Sequence, residues 1–109
     1  MKRGDVVTVV VQGDYGKPRP AVVVQSDWFN ATHASVTVVP VTTTIVDAPL
    51  FRVLAEPSTT NGLRSVSQLM VDKLTTVRRD KVGKRIGSIG DDVMQRVTRA
   101  VALCLGVGA

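Results

Sequence analysis

Short runs of valine, each cut off by glycine, proline or a polar turn, constrain this chain more than any other feature. Val6-Val7-Thr8-Val9-Val10-Val11, Ala21-Val22-Val23-Val24 and Val36-Thr37-Val38-Val39-Pro40-Val41 all fall within the first 41 residues. Such β-branched side chains are stiff at χ1, which disfavours helix and suits a pleated surface. Hydrophobic residues make up 44% of the chain but aromatics only 4%, so valine must build the core. With 109 residues, one domain spanning 1–109 is expected, burying roughly two thirds of its unfolded surface.

The runs predict six strands, over 6–11, 20–25, 35–41, 50–54, 65–71 and 84–89, with the valines of 20–25 buried on both faces. Gly13-Asp14-Tyr15-Gly16 ends the first strand, and Asp27-Trp28-Phe29-Asn30 makes a turn. The segment 56–62 is a loop rich in turn residues. Only the last segment reads as helix. Gly90-Asp91-Asp92 offers a cap and negative charge for its start. Val93, Met94, Val97, Val101, Cys104 and Leu105 then recur at helical spacing, with Gln95, Arg96 and Arg99 opposite. Short strands closed by one helix predict a small, strongly curved antiparallel sheet or partial barrel.

Several chemistries are disfavoured. Cys104 is the sole cysteine, which rules out an internal disulfide or a Cys-based zinc site and predicts a small buried residue on the helix. The single histidine, His33, reads as a solvated loop residue, and no metal or cofactor is expected. There is no glycine-rich phosphate loop and no strand–Ser–helix elbow. Met1-Lys2-Arg3-Gly4-Asp5 leads into a strand pattern rather than an apolar leader. No run of about 18 apolar residues exists to span a membrane, so a cytoplasmic protein is expected. The formal charge of +5, from 14 basic and 9 acidic residues, suits a phosphate-rich partner.

One stretch draws the eye to a site. In Lys17-Pro18-Arg19-Pro20 the two prolines fix φ, remove two donors and push their predecessors into extended backbone. Arg19 is thereby held stiffly at the mouth of a strand. Two other groups of polar residues sit at strand ends: Thr42-Thr43-Thr44 after 35–41, and Asp72 after 65–71. Arginine offers a planar fork for phosphate, threonine a hydroxyl donor, aspartate a proton acceptor. Each also has an ordinary reading as a strand-end polar residue.

Taken in order, Lys2-Arg3-Gly4-Asp5-Val6-Val7, Arg19-Pro20-Ala21-Val22-Val23-Val24, Val38-Val39-Pro40-Val41-Thr42, Gly62-Leu63-Arg64-Ser65 and Lys84-Arg85-Ile86 resemble the MazF/PemK (Kid) toxin family. The resemblance covers nearly the whole chain. It implies an SH3-like barrel, mainly β, with a C-terminal α-helix. It also implies a homodimeric toxin of a toxin–antitoxin pair that cuts single-stranded RNA without metal and is held in check by an acidic antitoxin. Arg19 and Thr42 match the family's catalytic arginine and threonine, and Asp72 the acidic residue of the PemK branch. The expected RNA-contacting set is Lys17, Tyr15, Thr43, Arg64 and Gln68. The chain departs from the PemK branch at Met70, where that branch has an arginine, and in a shorter loop before Arg19 that carries no histidine. Two alternatives stay open: an inactive RNA-binding member, and a gyrase-poisoning toxin of the CcdB type. The latter ends in Trp-Gly-Ile, whereas this tail is Leu105-Gly106-Val107-Gly108-Ala109 and Trp28 lies far upstream.

Overall fold

The computed structural model describes residues 1–11, 13 and 15–108. Asp14 of the first turn and Ala109 of the tail therefore lie outside the described residues. Among the described residues seven strands form one antiparallel sheet: β1 (Asp5–Val9), β2 (Arg19–Val23), β3 (Ser35–Thr42), β4 (Arg52–Ala55), β5 (Ser67–Met70), β6 (Thr75–Arg78) and β7 (Val82–Ser88). A single-turn helix α1 (Asp27–Asn30) precedes β3, and the long helix α2 (Asp91–Leu105) closes the chain. The strand order is β4-β5-β3-β2-β1-β7, with β6 also on β3.

Strand β3 is the spine. One edge pairs with β2 through Ala21↔Pro40, Val22↔Val39 and Val23↔Val38. Its other edge is shared: β6 takes Ser35 to Val38, and β5 takes Val41 and Thr42. The valine runs bury both faces because strand side chains alternate. Val6, Val22 and Val39 enter a core with Val53, Leu69, Ile89, Met94 and Val97, whereas Val7, Ala21, Val23 and Val38 enter a second core with Val9, Val36 and Val77. Val22, Val23, Val38 and Val39 are all fully buried.

Helix α2 covers the first core with Met94, Val97 and Ala100. Arg3 ties it to the sheet: its Nε donates to the Val24 carbonyl (3.1 Å) and its Nη2 to Thr98 Oγ1 (2.8 Å). Gly90 is the N-cap, with Asp91 and Asp92 in the first turn, where their charge complements the positive end of the helix dipole. Gly106, at φ +71°, ends it.

Four sequence expectations change. The segment 75–78 is a strand that periodicity missed, because only Val77 of its four side chains is buried. The turn at 27–30 is one turn of α-helix, capped by Ser26 Oγ accepting from the Trp28 N–H. Asp72 ends no strand: it sits in a single 3-10 turn, Val71–Lys73, where the chain leaves β5 to rejoin β3 as β6. Cys104 is exposed. Its stripe continues along α2, but Leu103 and Leu105 beside it are exposed as well, so the last turn runs past the core. Among the described residues, no helix is long and apolar enough to cross a membrane.

Candidate active site

A cleft of about 410 Å³ opens where β2 begins and β3 ends. Carrying the β2–β3 register two residues beyond Ala21↔Pro40 sets Arg19 opposite Thr42. Cross-strand neighbours project from the same face, and both residues line this cleft with Thr43, Thr44, Arg64 and Ser65. Arg19 opens β2 between Pro18 and Pro20, across from Val9. Among the described residues the lining holds two arginines and several hydroxyls, and it holds no carboxylate and no imidazole. Such a lining favours an anion.

Both loops that shape the cleft are braced from within. Thr42 Oγ1 accepts from the Thr44 N–H (3.1 Å), which folds the chain back just past β3. The wall opposite is the segment 56–65, built around buried Asn61. Asn61 Oδ1 accepts from the N–H groups of Ser58 (3.0 Å) and Leu63 (2.9 Å), and its Nδ2 donates to the Glu56 carbonyl (2.8 Å). The Asn61 N–H donates to Ser58 Oγ (3.0 Å). Gly62, at φ +70°, then lies so close to β7 that a Cβ there would stand 2.1 Å from the Ile86 carbonyl oxygen. Thr8 closes the floor, its Oγ1 accepting from the Lys84 N–H (3.0 Å). Sequence reasoning treated Asn61 only as turn material, although Asn followed by Gly is a recognised signal for a tight, left-handed bend.

The expected site residues separate into three groups. Arg19, Thr42, Thr43 and Arg64 come together in the cleft, and exposed Lys17 precedes Pro18 at its rim. Tyr15 does not join them: it is fully exposed, at φ +53°, beside a different groove formed with Val10, Thr76 and Lys81. Gln68 is register partner to Thr42, yet its side chain is buried and bonded to backbone, Nε2 donating to the Val46 carbonyl (2.8 Å) and Oε1 accepting from the Val46 N–H (3.1 Å). That amide is not presented to a ligand.

Asp72 is likewise not brought to the cleft. Its carboxylate forms a forked ion pair with Arg52, Oδ1 to Nε at 2.8 Å and Oδ2 to Nη2 at 3.2 Å. The Arg52 hydrogen bond holds Asp72 below the ordinary carboxylate range and raises Arg52 in turn. A carboxylate so favoured in its ionised form is a poor proton acceptor. Asp72 follows Gln68, the register partner of Thr42, by four residues, beyond Met70 and its own partner Arg52, and it is not among the residues lining the cleft. Among the described residues no three His, Cys, Asp or Glu side chains gather as a metal-ligand set.

The fold recurs in known proteins. The family model of PemK-like, MazF-like toxins of type II toxin–antitoxin systems matches residues 2–105. A probable endoribonuclease MazF of Mycolicibacterium smegmatis is 49% identical over 108 residues, covering 98% of each chain. Endoribonuclease MazF9 of Mycobacterium tuberculosis is 30% identical, covering 96% of each. A mycobacterial endoribonuclease solved with its cognate antitoxin superposes with a TM-score of 0.83 at 26% identity, over 100% of this chain and 98% of that one. This chain belongs to the PemK-like, MazF-like toxin family. Its sheet-and-helix architecture is the one seen in MazF toxin structures.

Proposed function

We propose that this MazF-like toxin is an endoribonuclease that cuts single-stranded RNA at short sequences, without a metal ion. The reading rests on one observation above the others: Arg19 and Thr42 face each other in a cleft lined by cations and hydroxyls. In the proposed reaction the RNA 2′-hydroxyl attacks the adjacent phosphorus and the bond to the 5′-oxygen breaks, leaving a 2′,3′-cyclic phosphate and a 5′-hydroxyl. Negative charge builds on the non-bridging oxygens, where the Arg19 fork and the Thr42 hydroxyl donate. Arginine stays protonated, so Arg19 stabilises charge rather than carrying the proton. With Asp72 held by Arg52, the 2′-hydroxyl proton leaves to solvent and water protonates the departing oxygen. Thr43, Arg64 and Lys17 hold flanking phosphates.

The protein acts in the cytoplasm as a homodimer. Exposed Leu50, Leu54 and Leu103 line a groove between α2 and β4 with Val53 and Ala100, and a second copy of the chain covers them. An acidic antitoxin segment competes with RNA for the cationic cleft, in keeping with the antitoxin-bound relative. Incubation of purified protein with a long RNA in EDTA, followed by end mapping, tests the reading. Cuts at one recurring short motif with 5′-hydroxyl ends are expected. Intact RNA together with inhibition of DNA gyrase would transfer the case to a non-enzymatic toxin.

A further inference from the structure

Gln68 carries more than its burial. A buried primary amide costs free energy unless its donors and acceptor are satisfied, and this one is spent wholly on a loop. Its two bonds to Val46 run in opposite directions, N–H to carbonyl and carbonyl from N–H. The side chain thereby copies one rung of an antiparallel ladder, although residue 46 has already left the sheet. Gln68 is at the same time the backbone register partner of Thr42. One residue thus holds both ends of the segment 42–46, its backbone at the start and its amide at the finish.

The consequence falls on the Thr42 hydroxyl. A hydroxyl has one proton to give and two lone pairs. The Thr44 N–H occupies a lone pair from inside the held segment, which leaves the proton for an acceptor in the cleft. If the loop opens, Thr44 moves and that alignment goes with it.

We infer that Gln68 is a positioning residue that locks the 42–46 loop so that the Thr42 hydroxyl is aimed at the bound phosphate, rather than a contact to RNA. This rests on the cleft being the RNA-cleaving site. A misplacement of about 1 Å at a reacting group can cost 10²-fold in rate, so Gln68→Ala should lose roughly 10- to 100-fold in kcat and leave RNA affinity nearly unchanged. Gln68→Glu is the sharper test. The ionised glutamate turns a bare oxygen towards the Val46 carbonyl, and that repulsion drives the loop off and loosens the Val46 N–H bond as well. Once protonated it donates there, and both bonds return. Its kcat relative to wild type, measured at each pH, should therefore rise as pH falls through the glutamate's titration. A structural loss of core packing gives no such recovery.

Amide exchange of wild type supplies a readout independent of both variants and of catalysis. The Val46 N–H should exchange slowly for a residue outside the sheet. In Gln68→Glu its protection should follow the same pH course as kcat. A fast-exchanging Val46 amide in wild type would overturn the lock, and so would a flat Gln68→Glu ratio or a Gln68→Ala variant with full kcat. If wild type cleaves no RNA but Val46 protection follows pH in Gln68→Glu, the lock stands and the nuclease reading alone falls.

Discussion

Replacing Gly62 by alanine tests whether the wall of the cleft is set by contact with β7. Two costs are separable. At φ +70° any side chain occupies the left-handed region, worth roughly 1–2 kcal/mol for an L-residue. The added Cβ also lands 2.1 Å from the Ile86 carbonyl oxygen and 2.9 Å from its carbon, where ordinary contact begins near 3.4 Å. The segment 56–65 must therefore retreat, straining the Ser88 N–H to Thr60 carbonyl bond (2.9 Å) that fastens it to β7. Clash and lost bonding bring the total to about 3–5 kcal/mol, the range of severe core defects. Gly106 is the internal control: its φ is +71°, but nothing lies within 4 Å of a Cβ there. Gly106→Ala should cost only the backbone component, about 1–2 kcal/mol, each 1 kcal/mol being roughly 4–8 °C in Tm for a domain of this size.

Gly87 approaches the same loop from the other side, a Cβ there meeting Thr60 O and Asn61 C at 2.4 Å. Gly87→Ala should destabilise as severely as Gly62→Ala. The double variant should be less destabilised than the sum, because both push on one segment. Thermal unfolding by circular dichroism reads all four proteins. Equal melting temperatures for Gly62→Ala and Gly106→Ala would refute the contact argument and leave only a backbone preference at position 62.

Arg19→Ala should lower RNA turnover by about 10²–10³-fold, the usual loss for one donor to a developing oxyanion, with a much smaller loss of affinity; Arg19→Lys should recover little, since an ammonium lacks the fork. Single-turnover kinetics on a short RNA read both, and full activity in a folded Arg19→Ala would remove Arg19 from the mechanism. Asp72→Asn should leave turnover within a few-fold of wild type but lower the melting temperature at neutral pH. Because its folded pKa is depressed by Arg52, the stability Asp72 contributes is complete above the usual carboxylate value of about 4 and is lost as pH falls through the lower folded value. The difference in Tm between the two proteins should thus be constant from pH 5 to 8 and shrink below pH 4.

How much of this was legible in the sequence depends on what fixes each feature. The two-sided core was legible because alternation is a property of the strand itself: once 20–25 is a strand, Val22 and Val23 must face opposite cores. Arg19 and Thr42 were legible for a related reason. Prolines and strand ends dictate where the backbone carries them, and the β2–β3 register does the rest. Strand β6 was not, since Thr75-Thr76-Val77-Arg78 places one apolar side chain on a sheet edge and so has no period to detect.

Polar side chains failed in a different way. Asp72 and Gln68 are the residue types a phosphate-cleaving site needs, and both lie near the right strand. What each does is decided by a partner far along the chain: Arg52, twenty positions before Asp72, and Val46, twenty-two before Gln68. A carboxylate or a buried amide takes whichever complementary group the fold brings within 3 Å, because leaving it unpaired costs more than a typical hydrogen bond gains. Spacing along the chain cannot name that group. For Arg19 the backbone is legible even so: Pro18 and Pro20 act on it directly, so the place where the chain sets this residue at the mouth of the cleft follows from its neighbours in sequence.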